Sequence, residues 1–174
     1  GAEGGLFLAD ALDRWRPLPA LDEISALTAT PQGLVACTAG AARRSVDGGL
    51  GWADLGFACA EGEGSRVAVS GGRSFALTAA GLRIGALVNG PADLHPQPLY
   101  DPQAIAALGE GVVMFDADTV LLSRDAGAHF TKGERPLELR RVREVAFLSK
   151  RVLLAVGRGV EGAPGIARST DGGA

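Results

Sequence analysis

The chain has 174 residues and a formal net charge of −3 at pH 7. This acidic balance argues against a general nucleic-acid binder or a binder of anionic membranes, because both need a basic face. Hydrophobic residues make up 47% of the chain, enough to bury a core, which argues against intrinsic disorder. No stretch approaches the roughly 18 apolar residues that a membrane span requires.

Short apolar and β-branched runs follow one another along the chain, and Gly, Asp, Ser or Lys bounds each of them. This pattern predicts β-strands rather than helices. Asn89-Gly90 is a favoured two-residue hairpin turn, because both positions accept a positive φ. Residues 137–144 could form a helical turn or two, and we treat them as a connection leading into a strand. The predicted strands are 26–29, 33–38, 67–70, 73–78, 81–84, 105–108, 111–115, 119–123, 145–148, 151–156 and 165–169.

A motif of the form Ser-x-Asp-x-Gly-x-x-aromatic recurs along the chain. It occurs twice in full, a third copy is cut off where the sequence stops, and a degenerate copy keeps only the Asp and the aromatic residue five positions later. The motif residues are Ser45, Asp47, Gly49 and Trp52; Ser123, Asp125, Gly127 and Phe130; Ser169, Asp171 and Gly173; and Asp10 with Trp15.

The spacing of the motif aspartates indicates a repeat. Asp10 and Asp47 are 37 residues apart, Asp47 and Asp125 are 78 apart, and Asp125 and Asp171 are 46 apart. A period of about 40 residues is that of a four-stranded propeller blade. The gap of 78 residues then contains one unit in which the Asn89-Gly90 turn replaces the motif. We divide the chain into blade parts at about 1–20, 21–60, 61–101, 102–142 and 143–174.

Each residue type in the motif has a structural use. Ser and Asp side chains can accept hydrogen bonds from backbone N–H groups of the same turn. The Gly permits a backbone conformation that a side chain would forbid. The aromatic ring can fold back and bury itself under the hairpin. We therefore expect a turn that stabilises itself between the third and fourth strands of a blade.

In these motifs and in their spacing of about 40 residues, the chain resembles the Asp-box, or BNR-repeat, β-propellers, which belong with the WD40/YVTN-like repeat folds. The group includes sialidases, sortilin-type receptor domains, oligoxyloglucan-processing hydrolases and photosystem II stability/assembly factor-like proteins. The resemblance covers nearly the whole chain and implies an all-β fold of four-stranded antiparallel blades. In those families the Asp-boxes are structural and lie away from the ligand face, so no catalytic role is implied for them.

Both ends of the chain read as partial blades. An incomplete segment of a larger propeller explains this most simply, and the alternative is a small ring closed by strand exchange between copies. In that case the chain would associate with itself.

A sialidase site, as the resemblance would imply it, needs an arginine triad, a Tyr–Glu pair and an acidic residue. Tyr100 has no evident Glu partner in sequence. Arg44, Arg124 and Arg168 precede motif turns and so should lie at the wrong end of the blades. We therefore predict no catalytic residue within this stretch.

Two further groups could in principle hold a metal. Asp116 and Asp118 are spaced as calcium ligands can be, but a polar hairpin turn is the simpler interpretation. Asp93 and His95 could form an acid–base or metal pair, although two ligands do not make a site. His129 occupies a variable motif position and should be exposed. We predict no metal and no cofactor.

The two cysteines, Cys37 and Cys59, leave two alternatives open. They are either buried free thiols, which we favour, or a disulfide, which would imply an exported protein. The Ala, Gly and Arg richness is typical of GC-rich bacterial genomes. The sequence leaves the localisation unknown, and the expectation it favours is export to the periplasm or the medium.

The leading functional hypothesis is a non-catalytic binding or assembly module that presents loops to a protein or glycan partner. The alternative is a part of a glycoside hydrolase, sialidase-like or related, whose catalytic residues lie mainly outside these residues.

Overall fold

The computed structural model describes residues 7–11, 14–18, 21, 24–30, 33–39, 41–59, 66–78, 80–86, 93–136 and 139–173. These residues form strands and turns, together with one short 3-10 helix at Val160–Gly162. No helix within the described ranges has the length and apolar character to cross a membrane. The all-β prediction is confirmed.

The strands form antiparallel sheets that follow one another along the chain, and we number these sheets as blades. Blade 1 contains β1 (Phe7–Ala11) and β2 (Arg14–Pro17). Blade 2 contains β3 (Ala26–Thr30), β4 (Gly33–Thr38), β5 (Ala41–Ser45) and β6 (Ala53–Asp54). Blade 3 contains β7 (Val67–Ser70), β8 (Arg73–Thr78), β9 (Gly81–Ala86) and β10 (Asp93–Leu94). Blade 4 contains β11 (Pro102–Leu108), β12 (Gly111–Asp116), β13 (Thr119–Ser123) and β14 (Thr131–Gly133), and blade 5 contains β15 (Arg141–Phe147), β16 (Leu153–Arg158) and β17 (Pro164–Ser169).

The blades are arranged around a common axis. The first strands of blades 2 to 5 contact one another in chain order, β3 with β7, β7 with β11, and β11 with β15. Two hydrogen bonds join neighbouring first strands: Thr28 Oγ1 donates to the Val67 carbonyl (2.8 Å), and the Val142 N–H donates to Gln103 Oε1 (2.9 Å). First strands at the axis and later strands further out make a β-propeller, so the predicted fold class is confirmed.

The core lies between blades rather than within one sheet. One cluster of buried residues joins Val113, Phe115 and Val120 of blade 4 to Val145 and Leu153 of blade 5. Similar clusters join blades 3 and 4 and blades 2 and 3. Each middle blade is therefore covered on both faces, which explains why its strands read as nearly continuous apolar runs.

The structure differs from the predicted strands mainly at the edges of the blades. The short outer strands β6, β10 and β14 were missed, because two or three mostly exposed residues give no apolar pattern. The strands β1, β2 and β5 were missed as well, and in β5 two arginines interrupt the apolar run. The first strands β11 and β15 begin at Pro102 and Arg141, earlier than predicted, because each contains a bulge among polar residues. The Asn89-Gly90 turn and part of segment 137–144 lie outside the described residues. The blade division drawn from the sequence stays a prediction.

Cys37 and Cys59 form a disulfide, with Cα atoms 5.8 Å apart. The expectation of two free thiols is therefore wrong, and the alternative of a bridged pair holds. Cys37 is buried in β4, while Cys59 lies on the segment that leaves β6. The bridge ties the exit of blade 2 back onto its second strand, a tertiary contact that the spacing of two cysteines does not reveal.

Candidate functional site

The turn of the first Ser-x-Asp-x-Gly motif follows β5 and is held by its own side chains. We call the turns with this sequence motif Asp-box turns, after the pattern alone. Ser45 Oγ donates to Asp47 Oδ1 (2.7 Å) and accepts from the Gly49 N–H (2.7 Å). Asp47 Oδ1 also accepts from the N–H groups of Leu50 (3.0 Å) and Gly51 (2.9 Å). These bonds satisfy the backbone of a turn that joins the third and fourth strands of blade 2.

The second turn repeats this arrangement. Ser123 Oγ donates to Asp125 Oδ1 (2.7 Å) and accepts from the Gly127 N–H (2.8 Å). Asp125 Oδ1 accepts from the His129 N–H (3.0 Å), and Asp125 Oδ2 lies 2.7 Å from His129 Nδ1. The His129 side chain is exposed, as predicted.

In the third copy, Ser169 Oγ donates to Asp171 Oδ1 (2.6 Å) and accepts from the Gly173 N–H (2.7 Å). The degenerate copy is different. Asp10 lies within β1 at a bulge, and Trp15 lies within β2 opposite Ala9. The strands of that hairpin pair as far as Ala11 with Arg14, so the hairpin lacks the longer turn of the three other copies.

Hydrogen bonds lower the pKa of two of the three Asp-box carboxylates, Asp47 and Asp125. Hydrogen bonds from the Gly51 N–H and the Ser45 hydroxyl hold the pKa of Asp47 below its ordinary value of 3.8. The His129 N–H, the Ser123 hydroxyl and the His129 ring do the same for Asp125, whose pKa is lowered strongly. A carboxylate held in this way accepts hydrogen bonds and is a poor general acid near neutral pH.

The Asp-box turns also pack against the preceding blade. Gly127 has φ +83°, and a Cβ there would come within 2.8 Å of Ile84 Cδ1 and 2.9 Å of Phe75 Cε1, both on blade 3. Phe130 packs on the same cluster, edge to face with the His95 ring. The half-buried Trp52 contacts the cluster of Leu18, Leu21 and Ala36, and its Nε1 donates to the Gly49 carbonyl (3.1 Å).

The opposite end of the blades carries the turns between second and third strands and the connections from one blade to the next. We call it the loop face and define it by residues 97–101, 134–136 and 139–141, together with Arg66, Asp116 and Asp118. Because the strands are antiparallel, this end lies a strand's length away from the Asp-box turns.

Asp116 fixes the connection between blades 3 and 4. Its side chain, only 4% exposed, ends β12 and accepts hydrogen bonds from the N–H groups of Tyr100 (3.0 Å) and Asp101 (2.7 Å). The Ala117 N–H in turn donates to the Asp101 carbonyl (2.9 Å). The Tyr100 side chain is 87% exposed. A rigid backbone thus presents the only tyrosine of the chain to solvent.

Two arginines anchor the same region. Arg66 is 2% exposed and donates to the Pro102 carbonyl, at the start of β11. Arg135 donates from Nε to the Leu139 carbonyl (3.1 Å) and from Nη2 to Gln103 Oε1 (3.3 Å). These bonds join the blade-to-blade connections of the loop face to the first strand of blade 4.

Burial lowers the pKa of both guanidinium groups below its ordinary value. The negative charge of Asp101 opposes this effect at both arginines, and Asp118 does so at Arg135. Arginine stays charged even with such a shift, so the loop face contains fixed positive charge beside carboxylates. Arg140 and Arg141 add two exposed guanidinium groups at its edge.

The structure does not bring the sialidase candidates together. Arg44, Arg124 and Arg168 belong to three different blades, and each lies at the Asp-box end, whereas Tyr100 lies on the loop face. His95 accepts from the Gln97 N–H (3.1 Å) and contacts Phe130, so a structural bond occupies its Nδ1. Within the described ranges, no three His, Cys, Asp or Glu side chains are placed to hold a metal.

Tyr100, Asp116 and Asp118 are sequence candidates for other chemistry, whereas no motif in the sequence marks Arg66, Gln103 or Arg135. A faint signal exists. The contacts from Thr28 to Val67, Arg66 to Pro102 and Gln103 to Val142 link residues 36 to 39 positions apart, close to the repeat length. The period shows which segments are equivalent, but not which side chain crosses between blades.

No protein-family model and no curated protein sequence matches the chain. Solved structures do. YCF48 bound to D1 peptide is 18% identical, with a TM-score of 0.59 over 92% of this chain and 55% of that one. YCF48 from Cyanidioschyzon merolae is 16% identical, with a TM-score of 0.62 over 95% of this chain and 60% of that one. BamB from Moraxella catarrhalis is 12% identical, with a TM-score of 0.58 over 83% of this chain and 42% of that one.

Fold and comparisons together define the class of this protein as a β-propeller. The chain spans between about two fifths and three fifths of the length of these neighbours. At such low identity the likeness establishes the fold alone.

Proposed function

We propose that the chain is a non-catalytic binding or assembly module of the Asp-box, BNR-type class, and that it contacts a protein partner through the loop face. The observation that carries this proposal is Tyr100, fully presented to solvent from a backbone that the buried Asp116 holds in place. Exposed guanidinium groups at Arg140 and Arg141 belong to the same face.

Tyrosine and arginine are the side chains that contribute most often to protein interfaces. Tyrosine offers a large contact area and loses little conformational entropy, because it has only two rotatable side-chain bonds. A backbone that is already fixed reduces the entropy lost on binding. Arginine can pair with a carboxylate through two parallel hydrogen bonds. The face therefore suits a peptide or loop that contains acidic groups.

The neighbours support this proposal by analogy. One was solved as YCF48 bound to D1 peptide. Another structure contains Dbp5 bound to Nup159, and the N-terminal domain of Nup159 has a TM-score of 0.55 to this chain. We accordingly propose a role like that of the photosystem II assembly factor-like propellers, with the chain as a bacterial protein that binds another protein.

The disulfide between Cys37 and Cys59 supports export as the localisation, because structural disulfides persist in the periplasm and outside the cell. Nothing in the described residues favours the alternative of a glycoside hydrolase. Turnover of any member of a fluorogenic glycoside panel by the purified chain would contradict the proposal of a non-catalytic module.

The test uses a phage-displayed library of random peptides, selected on the immobilised chain. Peptides that are enriched are synthesised, and their Kd is measured by calorimetry. We expect Tyr100→Ala to weaken binding about 10- to 100-fold, the usual effect at a central interface residue. Val46→Ala, an exposed apolar residue at the Asp-box end, is the matched control and should leave the Kd unchanged.

Two results would contradict the proposal. One is a set of peptides whose binding responds to Val46→Ala and not to Tyr100→Ala. The other is the absence of any enriched peptide together with specific binding on a glycan array, which would assign the face to glycans. Thermal unfolding of both variants shows that any change in affinity comes from the surface and not from the fold.

A further inference from the structure

A cleft opens between blades 4 and 5 at the Asp-box end, which is the opposite end of the blades from the loop face. Its volume is about 410 Å³, which lies within the usual range for a site that holds a small molecule. We call it the blade 4–5 cleft. It is lined by residues 108–112 and 122–124 of blade 4 and by Phe147, Lys150, Arg151 and residues 171–172 of blade 5.

The cleft exists because blade 4 lacks a side chain that blade 3 has. Arg73 begins β8 and Gly111 begins β12, and each pairs with the last residue of the first strand of its own blade. Arg73 Nη1 donates to the Ala126 carbonyl (3.0 Å), so this side chain crosses from blade 3 to the Asp-box turn of blade 4. Glycine has no side chain that could cross from blade 4 to the Asp-box turn of blade 5. The opening therefore follows from the residue at position 111.

The turn between β15 and β16 brings basic side chains to the cleft. In blades 3 and 4 the first and second strands are joined by short turns, at residues 71–72 and 109–110. In blade 5, residues 148–152 separate Phe147 from its cross-strand partner Leu153. This longer turn supplies Lys150 and Arg151 to the lining of the cleft.

The floor of the cleft is apolar. Val112 and Leu122 are buried there, and Phe147 is half-buried. A Cβ at Gly111 would lie 3.4 Å from Phe147 Cζ, so the ring lies directly opposite the glycine. Such a floor favours the hydrocarbon part of a ligand, because contact with it removes apolar surface from water.

The rim of the cleft has an excess of positive charge. Its basic side chains are Arg124, Lys150 and Arg151, all exposed, and its carboxylates are Glu110 and Asp171. Asp171 Oδ1 already accepts hydrogen bonds within its own turn. Among the described residues, none of the three basic side chains forms a hydrogen bond or an ion pair. The rim therefore suits an anion, and a guanidinium group can bind a carboxylate through two parallel hydrogen bonds.

We propose that the blade 4–5 cleft binds a small organic acid. The hydrocarbon body of the acid lies against Val112 and Phe147, and its carboxylate lies at the rim beside Arg124, Lys150 and Arg151. Burial of the body supplies most of the affinity, and the charged rim fixes the orientation of the acid. The inference is independent of the loop face and of its protein partner, because the two sites lie at opposite ends of the blades.

The experiment is an NMR titration of the backbone amide signals of the 174-residue chain with phenylacetate, hexanoate and indoleacetate. Phenylacetamide keeps the body and loses the charge, whereas acetate keeps the charge and loses the body. We expect saturable shifts at Gly111, Phe147 and Lys150 with at least one of the three acids. The Kd should be about 1 mM or lower, the range for ligands of this size. Phenylacetamide and acetate should bind at least about 10-fold more weakly than that acid.

Two variants test the floor and the rim separately. Gly111→Gln places a side chain where Arg73 stands in blade 3, without adding charge, and should weaken binding of the acids about 10-fold or more. Arg124→Gln with Lys150→Gln leaves the floor intact and should weaken the acids to a similar extent, with no change for phenylacetamide. Lys132→Gln, at an exposed residue of β14 that does not line the cleft, is the control and should change neither.

Three results would overturn the proposal. The first is the absence of saturable shifts at the cleft with all three acids. The second is equal affinity for phenylacetate and phenylacetamide, which would make the site apolar only. The third is binding of the acids that both cleft variants leave unchanged, which would place it elsewhere on the chain. Thermal unfolding of each variant, compared with Lys132→Gln, shows that a lost affinity comes from the cleft and not from the fold.

Discussion

The two ends of the blades achieve order in different ways. At the Asp-box end, three turns repeat one set of hydrogen bonds within a few residues of sequence, from a Ser hydroxyl, an Asp carboxylate and the N–H of a Gly. On the loop face, order comes from single contacts between distant residues, such as Asp116 with Tyr100 and Arg66 with Pro102. Hydrogen bonds that recur from turn to turn stabilise the scaffold. Hydrogen bonds between residues far apart in sequence, each found at one place, shape the face that we propose for binding.

Among the changes that test this comparison, removal of the disulfide should lower the free energy of unfolding most, because the disulfide stabilises the loop-face end of blade 2. Cysteines 22 residues apart close a loop whose cross-link contributes about 3 kcal/mol in the chain-entropy model. We expect Cys37→Ser with Cys59→Ser to lower the free energy of unfolding by about that amount, measured in urea. Reduction of the native chain should match it, and an equal stability of both forms would show that the bridge adds nothing.

Removal of an Asp-box aromatic ring should have a smaller effect. Trp52 is only half-buried, yet it packs on Leu18 and Leu21 and its Nε1 bonds to the Gly49 carbonyl. We expect Trp52→Ala to cost about 2–3 kcal/mol of unfolding free energy, below the range for a fully buried ring. Val46→Ala in the same turn is the control and should cost less than about 0.5 kcal/mol. If Trp52→Ala also cost less than about 0.5 kcal/mol of unfolding free energy, the stability of the turn would not depend on the ring.

The smallest expected effect is a dependence on pH at the second Asp-box. Because the pKa of Asp125 is lowered in the folded state, its carboxylate stabilises the fold fully above pH 5, and this contribution falls away as the pH drops below the ordinary value of 3.8. The difference in unfolding midpoint between the native chain and Asp125→Asn should therefore shrink between pH 5 and pH 2.5. A difference that stays constant with pH would contradict this account.

His129→Ala sharpens the same measurement. This change removes the ring that bonds to Asp125 Oδ2. The bonds that Asp125 Oδ1 accepts from the backbone N–H of residue 129 and from the Ser123 hydroxyl remain. NMR titration should show a higher pKa for Asp125 in this variant and an unchanged pKa for Asp47, whose turn contains Gly51 in the equivalent position. Equal shifts at both aspartates would indicate a general change in the fold.

The sequence by itself determined the repeat and most strands of the blade interiors, although not β5. Those features are local: a period of about 40 residues, alternation of short apolar runs with turns, and a motif whose residues bond within five positions. The sequence did not reveal that Asp10 lies in a closely paired hairpin, because an Asp and an aromatic residue at the right spacing do not specify the length of the turn.

Only the tertiary structure decided the rest. The pairing of Cys37 with Cys59 and the hydrogen bonds that the buried Asp116 accepts from the Tyr100 and Asp101 N–H groups depend on which strands become neighbours. In Asp116 and Asp118 the sequence offered two similar carboxylates, and one is buried with structural bonds while the other is exposed. Local chemistry fixes turns and strands, because its partners are close along the chain. Contacts between blades are fixed only once the blades pack around their axis.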